Sequence, residues 1–190
     1  MARANFVKKA RKDYPESNIK KGESYYWWKF RFGGKYKSKT PPRRSQLTQS
    51  GFLSGLCDLE DGMSERLSGI GHEEISGVVE ELTSEIECLR DECQDSLDNM
   101  PEHLQESSDS GMLLQERIDA LEDWISNLEN IEVEVNEEEI QEQATEEIRE
   151  ENEDEPKDIQ ELIQNRLGEL IGEKVEEIIA EIEDTNPGIA

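Results

Sequence analysis

Basic, aromatic and acidic residues are sorted along this chain of 190 residues, and this sorting limits its possible folds more than any other feature. Residues 1–44 hold 14 of the 21 lysines and arginines but only three of the 47 acidic residues. Ten of the eleven aromatic residues precede residue 53, and only 33% of all residues are hydrophobic. One large core is therefore not expected, whereas two regions of opposite surface charge are.

The pattern of residues 25–40 predicts a β-hairpin. Aromatic residues occupy every second position from 26 to 32, which is the periodicity of a strand. Gly33 and Gly34 predict a two-residue turn, and Pro41 ends the return strand.

An isolated hairpin is only marginally stable. We therefore expect residues 6–19 to pack over its aromatic face within a module of residues 1–50. The side chains expected in this small core are Trp28, Phe30 and Phe32. Tyr25 and Trp27 fall on the opposite phase and are expected to be exposed.

Cations interleaved with aromatic residues favour nucleic-acid binding, because cations neutralise phosphates and rings stack on unpaired bases. The expected partner of the module is therefore nucleic acid or an acidic protein surface. An alternative is that its positive face docks on the acidic part of the same chain. The candidate contact residues are Lys8, Lys9, Arg11, Lys12, Tyr25, Trp27, Lys29, Arg31, Lys35, Lys37, Arg43 and Arg44.

Residues 19–25, Ile-Lys-Lys-Gly-Glu-Ser-Tyr, and the hairpin after them resemble the middle of a treble-clef or zinc-ribbon finger. No cysteine or histidine precedes Cys57, so the nitrogen and sulfur ligands that zinc requires are missing. The resemblance implies a small binding module without metal.

Apolar residues at intervals of three and four predict helices over much of residues 51–130. A first helix is expected at 52–70 and a second at 72–97, followed by a loop at 102–111. The regular apolar spacing of residues 114–128 predicts a third helix that folds back on the second, forming a helical hairpin.

The acidic segment at 131–156 is expected to be a linker or a solvated helix. Residues 131–135 alternate Ile or Val with Glu, which predicts a short extended segment or an edge strand. Residues 137–155 are mostly Glu, Gln and Asn, which favours a solvated helix or a disordered linker that ends at Pro156.

Residues 157–185 predict the most apolar helix of the chain. The acidic segment before it is too poor in apolar residues to cover it, so we expect self-association or packing onto the hairpin at 72–128. Glutamates on its flanks are expected to repel one another. The chain is then a homo-oligomer or part of a larger assembly. The candidate assembly residues are Ile163, Leu167, Leu170, Ile171, Val175, Ile178 and Ile182.

The sequence contains no nucleophile elbow, Walker loop, dinucleotide fingerprint or zinc-protease motif. We therefore expect no catalytic residue, no cofactor and no metal, and a protein that is not an enzyme. Three cysteines, at positions 57, 88 and 93, are too few for a disulfide framework and are expected to be buried in a reducing cytoplasm. No apolar run is long enough to span a membrane.

Several short sequences recur in one known group of proteins. YYWWKFRFGG at 25–34, KTPP at 39–42 and SQLT at 45–48 are followed by DNMPE at 98–102 and by a spaced pattern at 114–129. Over residues 1–130 this combination resembles uncharacterised proteins of tailed bacteriophages and prophages. The resemblance implies a location in the cytoplasm of a bacterial host or in the virion, and it implies no activity.

The expected fold class is α+β, with a small N-terminal β-hairpin module followed by a mostly α-helical region. The expected function is that of a non-enzymatic phage accessory protein, whose basic module binds nucleic acid or an acidic partner and whose acidic helices mediate assembly. Two alternatives stay open: a virion structural or assembly component, and an acidic inhibitor that imitates DNA in the basic groove of a host defence protein.

Overall fold

The computed structural model describes residues 1–151 and 159–188 and has the expected α+β fold. An antiparallel sheet comes first, in the order β1-β2-β3. Its strands are β1 (Asn5–Val7), β2 (Tyr25–Lys29) and β3 (Lys35–Ser38). Within the described residues six helices follow: α1 (Gly51–Leu67), α2 (His72–Asp98), α3 (Glu102–Gln105), α4 (Asp109–Glu129), α5 (Glu137–Glu151) and α6 (Ile159–Asp184).

The chain divides into two compact units, and the division falls inside α1 rather than at residue 50. The first, which we call the basic unit, is Met1–Asp61, and the second, the helical unit, begins at Gly62.

Strand β2 is covered on both of its faces. On one face Tyr25 packs with Ala10 and Ile19, and none of these three side chains is more than 6% exposed. On the other face Trp28, which is 5% exposed, stacks on Tyr36 with ring centroids 5.8 Å apart. The alternating pattern therefore does not separate a buried face from a solvated one.

The expected core of the hairpin is wrong in two respects. Ala10 and Ile19 cover the face that holds Tyr25, opposite to the face expected, because the chain returns from β1 across that side of the sheet. Phe32 is 83% exposed, because β2 ends at Lys29 and Phe32 lies in the following turn.

The turn between β2 and β3 is longer than the sequence predicts. Lys29 pairs with Lys35, so residues 30–34 form the loop. Neither Gly33 nor Gly34 has a positive φ, which a two-residue hairpin turn would require. Pairing of Trp28 with Tyr36 places the two stacked rings opposite each other and accounts for this register.

In the helical unit, α2 and α4 form the expected hairpin. Each presents a buried apolar stripe at intervals of three and four, and the joining residues 99–108 are too few for anything but an antiparallel return. The fully enclosed side chains of this seam are Ile75, Leu82, Ile86, Leu121, Trp124 and Leu128.

The expected loop at 102–111 is partly wrong, because it contains α3 and the start of α4. Ser108 caps α4 by accepting a hydrogen bond from the Gly111 N–H at 3.0 Å. Gly111 lies so close to α3 that a Cβ there would collide with the carbonyl oxygens of Gln105 and Leu104. The tight turn between the two helices therefore depends on glycine.

The acidic segment is more ordered than its composition suggests. Residues 131–135 form neither a helix nor a strand, whereas 137–151 form α5, which packs against α6 and buries Ala144 and Ile148. Pro156 and Lys157, the expected boundary and helix start, lie outside the described residues. The residues that the structure describes include no helix long and apolar enough to cross a membrane.

Candidate nucleic-acid interface

One face of the basic unit combines aromatic rings and ammonium groups, and we call it the lysine–aromatic face. Register places Trp27 of β2 opposite Lys37 of β3, and both side chains project from this face. The Lys35 Nζ lies 3.7 Å from the centroid of the half-buried Trp27 ring. This is a close cation–π contact, in which the ring face stabilises the ammonium.

Tyr14 extends the same face. The Lys37 Nζ lies 4.3 Å from the centroid of its ring, and the Lys12 Nζ lies 5.7 Å from it. Tyr14 is held in place by an antiparallel bridge to Ile19 and by its contact with the Tyr25 ring, at a centroid distance of 5.5 Å. Two rings and three lysines therefore form one continuous surface.

A cleft of about 330 Å³ lies at the end of β2. Lys29 and Arg31, both exposed, line it together with Phe30, and Thr48 and Gln49 close its other side. Cationic groups, one ring and two polar side chains are the components of a site for a phosphate and a base.

Two of the predicted contact residues have partners within the basic unit. Tyr25 is 6% exposed, and a hydrogen bond with Tyr14, followed by burial, raises the pKa of its hydroxyl. Arg44 donates a hydrogen bond of 2.6 Å to Glu60 of α1, which raises the pKa of the guanidinium. Tyr25 is therefore a structural residue of the basic unit, and the expectation that it is exposed is wrong. Arg44 keeps 56% of its side chain exposed beside Glu60, so its role as a contact stays a prediction.

The other predicted cations stay on the surface. Lys8, Lys9 and Arg11 are exposed on the segment after β1, and Arg43 is exposed before α1. The structure thus brings together Lys12, Trp27, Lys35 and Lys37 on one face and places Lys29 and Arg31 at the cleft.

Sequence reasoning missed Tyr14, Thr48 and Gln49. Tyr14 falls in the segment expected to cover the hairpin, and nothing in the sequence marks it as part of a face that carries cations. Thr48 and Gln49 carry no sequence signal, because only the return of the chain after the short helix Ser45–Leu47 places them beside β2.

The assembly residues expected in α6 are mostly buried within a single chain. Leu170, Val175, Ile178 and Ile182 are at most 9% exposed, and Ile163, Leu167 and Ile171 are half-buried. The expectation that the preceding acidic segment cannot cover α6 is wrong, because α5 packs against it. At its far end, Trp124 of α4 donates a hydrogen bond of 2.9 Å to Thr185.

Several glutamates on the flanks of α6 form ion pairs with cations, in addition to repelling one another. Arg166 donates hydrogen bonds to Glu147 of α5 at 2.7 Å and to Glu169 at 3.1 Å, and it lies 3.6 Å from Glu173. Lys174 pairs with Glu177 at 2.7 Å. Each cation is therefore placed where it neutralises acids on its own helix or on the neighbouring one.

One group of possible metal ligands occurs among the described residues. Ligand atoms of His72, Glu73 and Glu137 all lie within 4.8 Å of one another, and His72 Nε2 forms a 2.8 Å hydrogen bond with Glu137. His72 and Glu137 begin α2 and α5, and the positive ends of two helices disfavour a cation. The hydrogen bond accounts for this group, so we assign no metal to it.

The cysteines are only partly as expected. Cys57 and Cys93 are buried, and burial raises the pKa of both thiols. Cys88 is exposed, which contradicts the expectation that all three are buried.

No protein-family model, curated protein sequence or solved structure matches this chain.

Proposed function

We propose that this protein binds single-stranded nucleic acid through the lysine–aromatic face of its basic unit. The observation that carries the proposal is the placement of Lys35 over the Trp27 ring at 3.7 Å and of Lys37 over the Tyr14 ring at 4.3 Å. The face presents cations for phosphates and rings for bases at the same positions.

In the proposed complex, each cation–π contact of the free protein is replaced by two contacts with the nucleic acid. In the free protein an ammonium group lies over each ring. When a strand binds, a base stacks on the ring and the ammonium moves to the neighbouring phosphate, so both groups keep a favourable contact. Unpaired bases offer their faces for such stacking, whereas a duplex hides them, which is why we favour a single strand.

The charge of the rest of the chain limits where nucleic acid can bind. The whole chain carries a formal charge of −26, although residues 1–44 hold 14 basic and three acidic residues. Phosphates are therefore repelled by the acidic part and attracted by the basic unit. The cleft lined by Lys29 and Arg31 supplies further phosphate contacts beside the lysine–aromatic face.

The test is a titration of the full-length protein with a fluorescent single-stranded oligonucleotide at several salt concentrations. Lys35→Gln and Lys37→Gln should each weaken binding and lower the salt slope by about 0.7 for each phosphate that is no longer neutralised. Trp27→Leu should remove stacking, which contributes about 1–3 kcal/mol per base. Lys174→Gln removes the same charge from the helical unit and should leave affinity almost unchanged.

Two results would contradict the proposal. One is the absence of binding at low salt by a protein whose circular dichroism is normal. The other is equal weakening by Lys37→Gln and by the control Lys174→Gln, because binding would then respond to net charge and not to this face.

The phage setting and the cytoplasmic or virion location remain part of the proposal and rest on the resemblance of residues 1–130. We propose no catalytic, metal or cofactor role. Assembly through α6 is not proposed, because most of its apolar stripe is already buried in the single chain.

A further inference from the structure

We propose that two copies of this protein associate by reciprocal strand addition, in which residues 131–135 of one copy pair with the free edge of β3 in the other. The proposal does not rest on nucleic-acid binding, although Lys35 and Lys37 would take part in both. It is carried by an unpaired acidic segment and an unpaired basic edge within the same chain.

The edge of the sheet is the first observation. The strand order β1-β2-β3 leaves β3 paired on one side only. Between described residues, the backbone of Lys35–Ser38 has no hydrogen-bonding partner other than β2. An edge of this kind is a template for a further strand.

The acidic segment is the second observation. Residues 131–135 belong to no helix or strand, and no hydrogen bond between described residues uses the backbone of 132–135. Ile131 and Val133 are half-buried where they line a groove with Val79 and Leu128, whereas Glu132 and Glu134 are exposed. One side of the segment thus rests on its own helical unit, and its backbone stays free to form a ladder.

The two segments match in chemistry and spacing. Lys35 and Lys37 lie on one face of β3 and Tyr36 on the other. In a paired strand Glu132 and Glu134 share a face, and their separation equals that of the two lysines, about 7 Å. Pairing brings each carboxylate opposite an ammonium, and it brings Val133 beside the exposed Tyr36 ring.

Charge complementarity between two segments of the same sequence points to a second copy as the occupant. Every chain carries one basic edge and one acidic segment, so two chains can make the same contact twice around a twofold axis. Such a closed dimer leaves neither β3 edge open, whereas a contact made only once would leave an edge free for further addition.

The experiment is a charge exchange, measured by sedimentation equilibrium on full-length protein freed of nucleic acid. Lys35→Glu with Lys37→Glu gives one variant, and Glu132→Lys with Glu134→Lys gives another. Each alone should dimerise at least about tenfold more weakly than the wild type, because like charges then face each other in both contacts. An equimolar mixture should dimerise again, because opposite charges then face each other in both contacts.

Two controls separate this contact from a general effect of charge. Glu138→Lys with Glu142→Lys makes the same change on the exposed face of α5 and should leave dimerisation unchanged. Val133→Pro, which removes one backbone donor without changing charge, should weaken it. Circular dichroism of each variant reports whether the helices have formed.

The proposal is overturned if the wild type stays monomeric over the whole concentration range, or if the mixture of the two variants is no more dimeric than either alone. Equal weakening by the α5 control would also overturn it. A protein that dimerises as described but binds no oligonucleotide would support this inference and contradict the proposed function. The two proposals can therefore be contradicted independently of each other.

Discussion

The two units are held together by different interactions. In the basic unit, three short strands are joined by ring-to-ring contacts, such as Trp28 on Tyr36, and by lysines placed over rings. In the helical unit, long helices bury continuous stripes of Leu, Ile and Val. The basic unit therefore uses its charges in its own packing, whereas the helical unit keeps most of its charges away from its seam.

This difference explains how one chain tolerates opposite charge excesses. Positive charge in the basic unit is stabilised by the negative faces of aromatic rings, so few acids are needed there. In the helical unit two of the scarce cations join neighbouring helices. Arg66 donates two hydrogen bonds to Glu85 of α2, at 2.7 and 2.8 Å, and Arg166 joins α5 to α6.

The largest expected effect is disruption of the apolar seam in the helical unit. Leu82→Ala removes a side chain with no exposed surface and leaves a cavity between α2 and α4. We expect it to lower the free energy of unfolding by about 2–5 kcal/mol, measured by urea denaturation followed by helical circular dichroism. The matched control is Leu162→Ala on α6, where 38% of the side chain is exposed, and it should cost much less. Equal losses of stability at both positions would mean that the seam is not the main source of stability.

A second prediction concerns two glycines of the same unit. Gly111→Ala places a methyl group against the carbonyl oxygens of α3, so we expect the free energy of unfolding to fall by about 1–3 kcal/mol. Gly77→Ala in α2 meets no atom within 4 Å and should raise stability by about 0.5–1 kcal/mol, because glycine is a poor helix former. The two substitutions should shift the denaturation midpoint in opposite directions. A shift of the same sign would show that the close approach of α3 to α4 is not tight in solution.

Sequence patterns predicted the helical unit better than the basic unit, and the reason is physical. The stripe from Ile75 to Leu97 repeats often enough to identify the helix and its buried face together. In β2 every residue from Tyr25 to Trp28 is aromatic, so alternation could not say which face is buried, and both faces proved to be covered. Tyr25 is buried by Ala10 and Ile19, and nothing in the sequence indicates which face of the sheet these two residues cover.

Contacts between segments distant in sequence were the least predictable part of both the fold and the site. Burial of Ala144 and Ile148 against α6 could not be read from a segment composed mainly of Glu and Gln. The same holds for the pairing of Arg44 with Glu60, which gives a predicted contact residue a partner within its own unit. A charged residue in a sequence shows the sign of its charge but not its partner.

The smallest expected effect, and the sharpest comparison between the units, comes from replacing one glutamate in each. Glu23 of the basic unit accepts a hydrogen bond of 2.7 Å from the Lys20 N–H and pairs with Lys39 at 3.0 Å, and these contacts lower the pKa of its carboxyl. Glu147 of the helical unit accepts hydrogen bonds from Gln143 and Arg166, which lower its pKa. We expect Glu23→Gln and Glu147→Gln each to loosen its own unit, measured by amide hydrogen exchange, which reports local opening.

The dependence on pH and salt should then distinguish the two. A carboxyl whose pKa is lowered by folding stabilises the fold at neutral pH, and this contribution is lost as the pH falls through the lowered pKa. Both variants should therefore approach the wild type in acid. Salt should reduce both penalties, because it screens the pairing of Glu23 with Lys39 and of Glu147 with Arg166. In the acidic α5 it also screens repulsion between neighbouring carboxylates, so the penalty of Glu147→Gln should shrink less. Glu146→Gln, which removes an exposed charge next to Glu147, is the control and should show no such penalty. If both penalties fell equally with salt, the two glutamates would lie in similar electrostatic surroundings, and the contrast between the units would not extend to individual side chains.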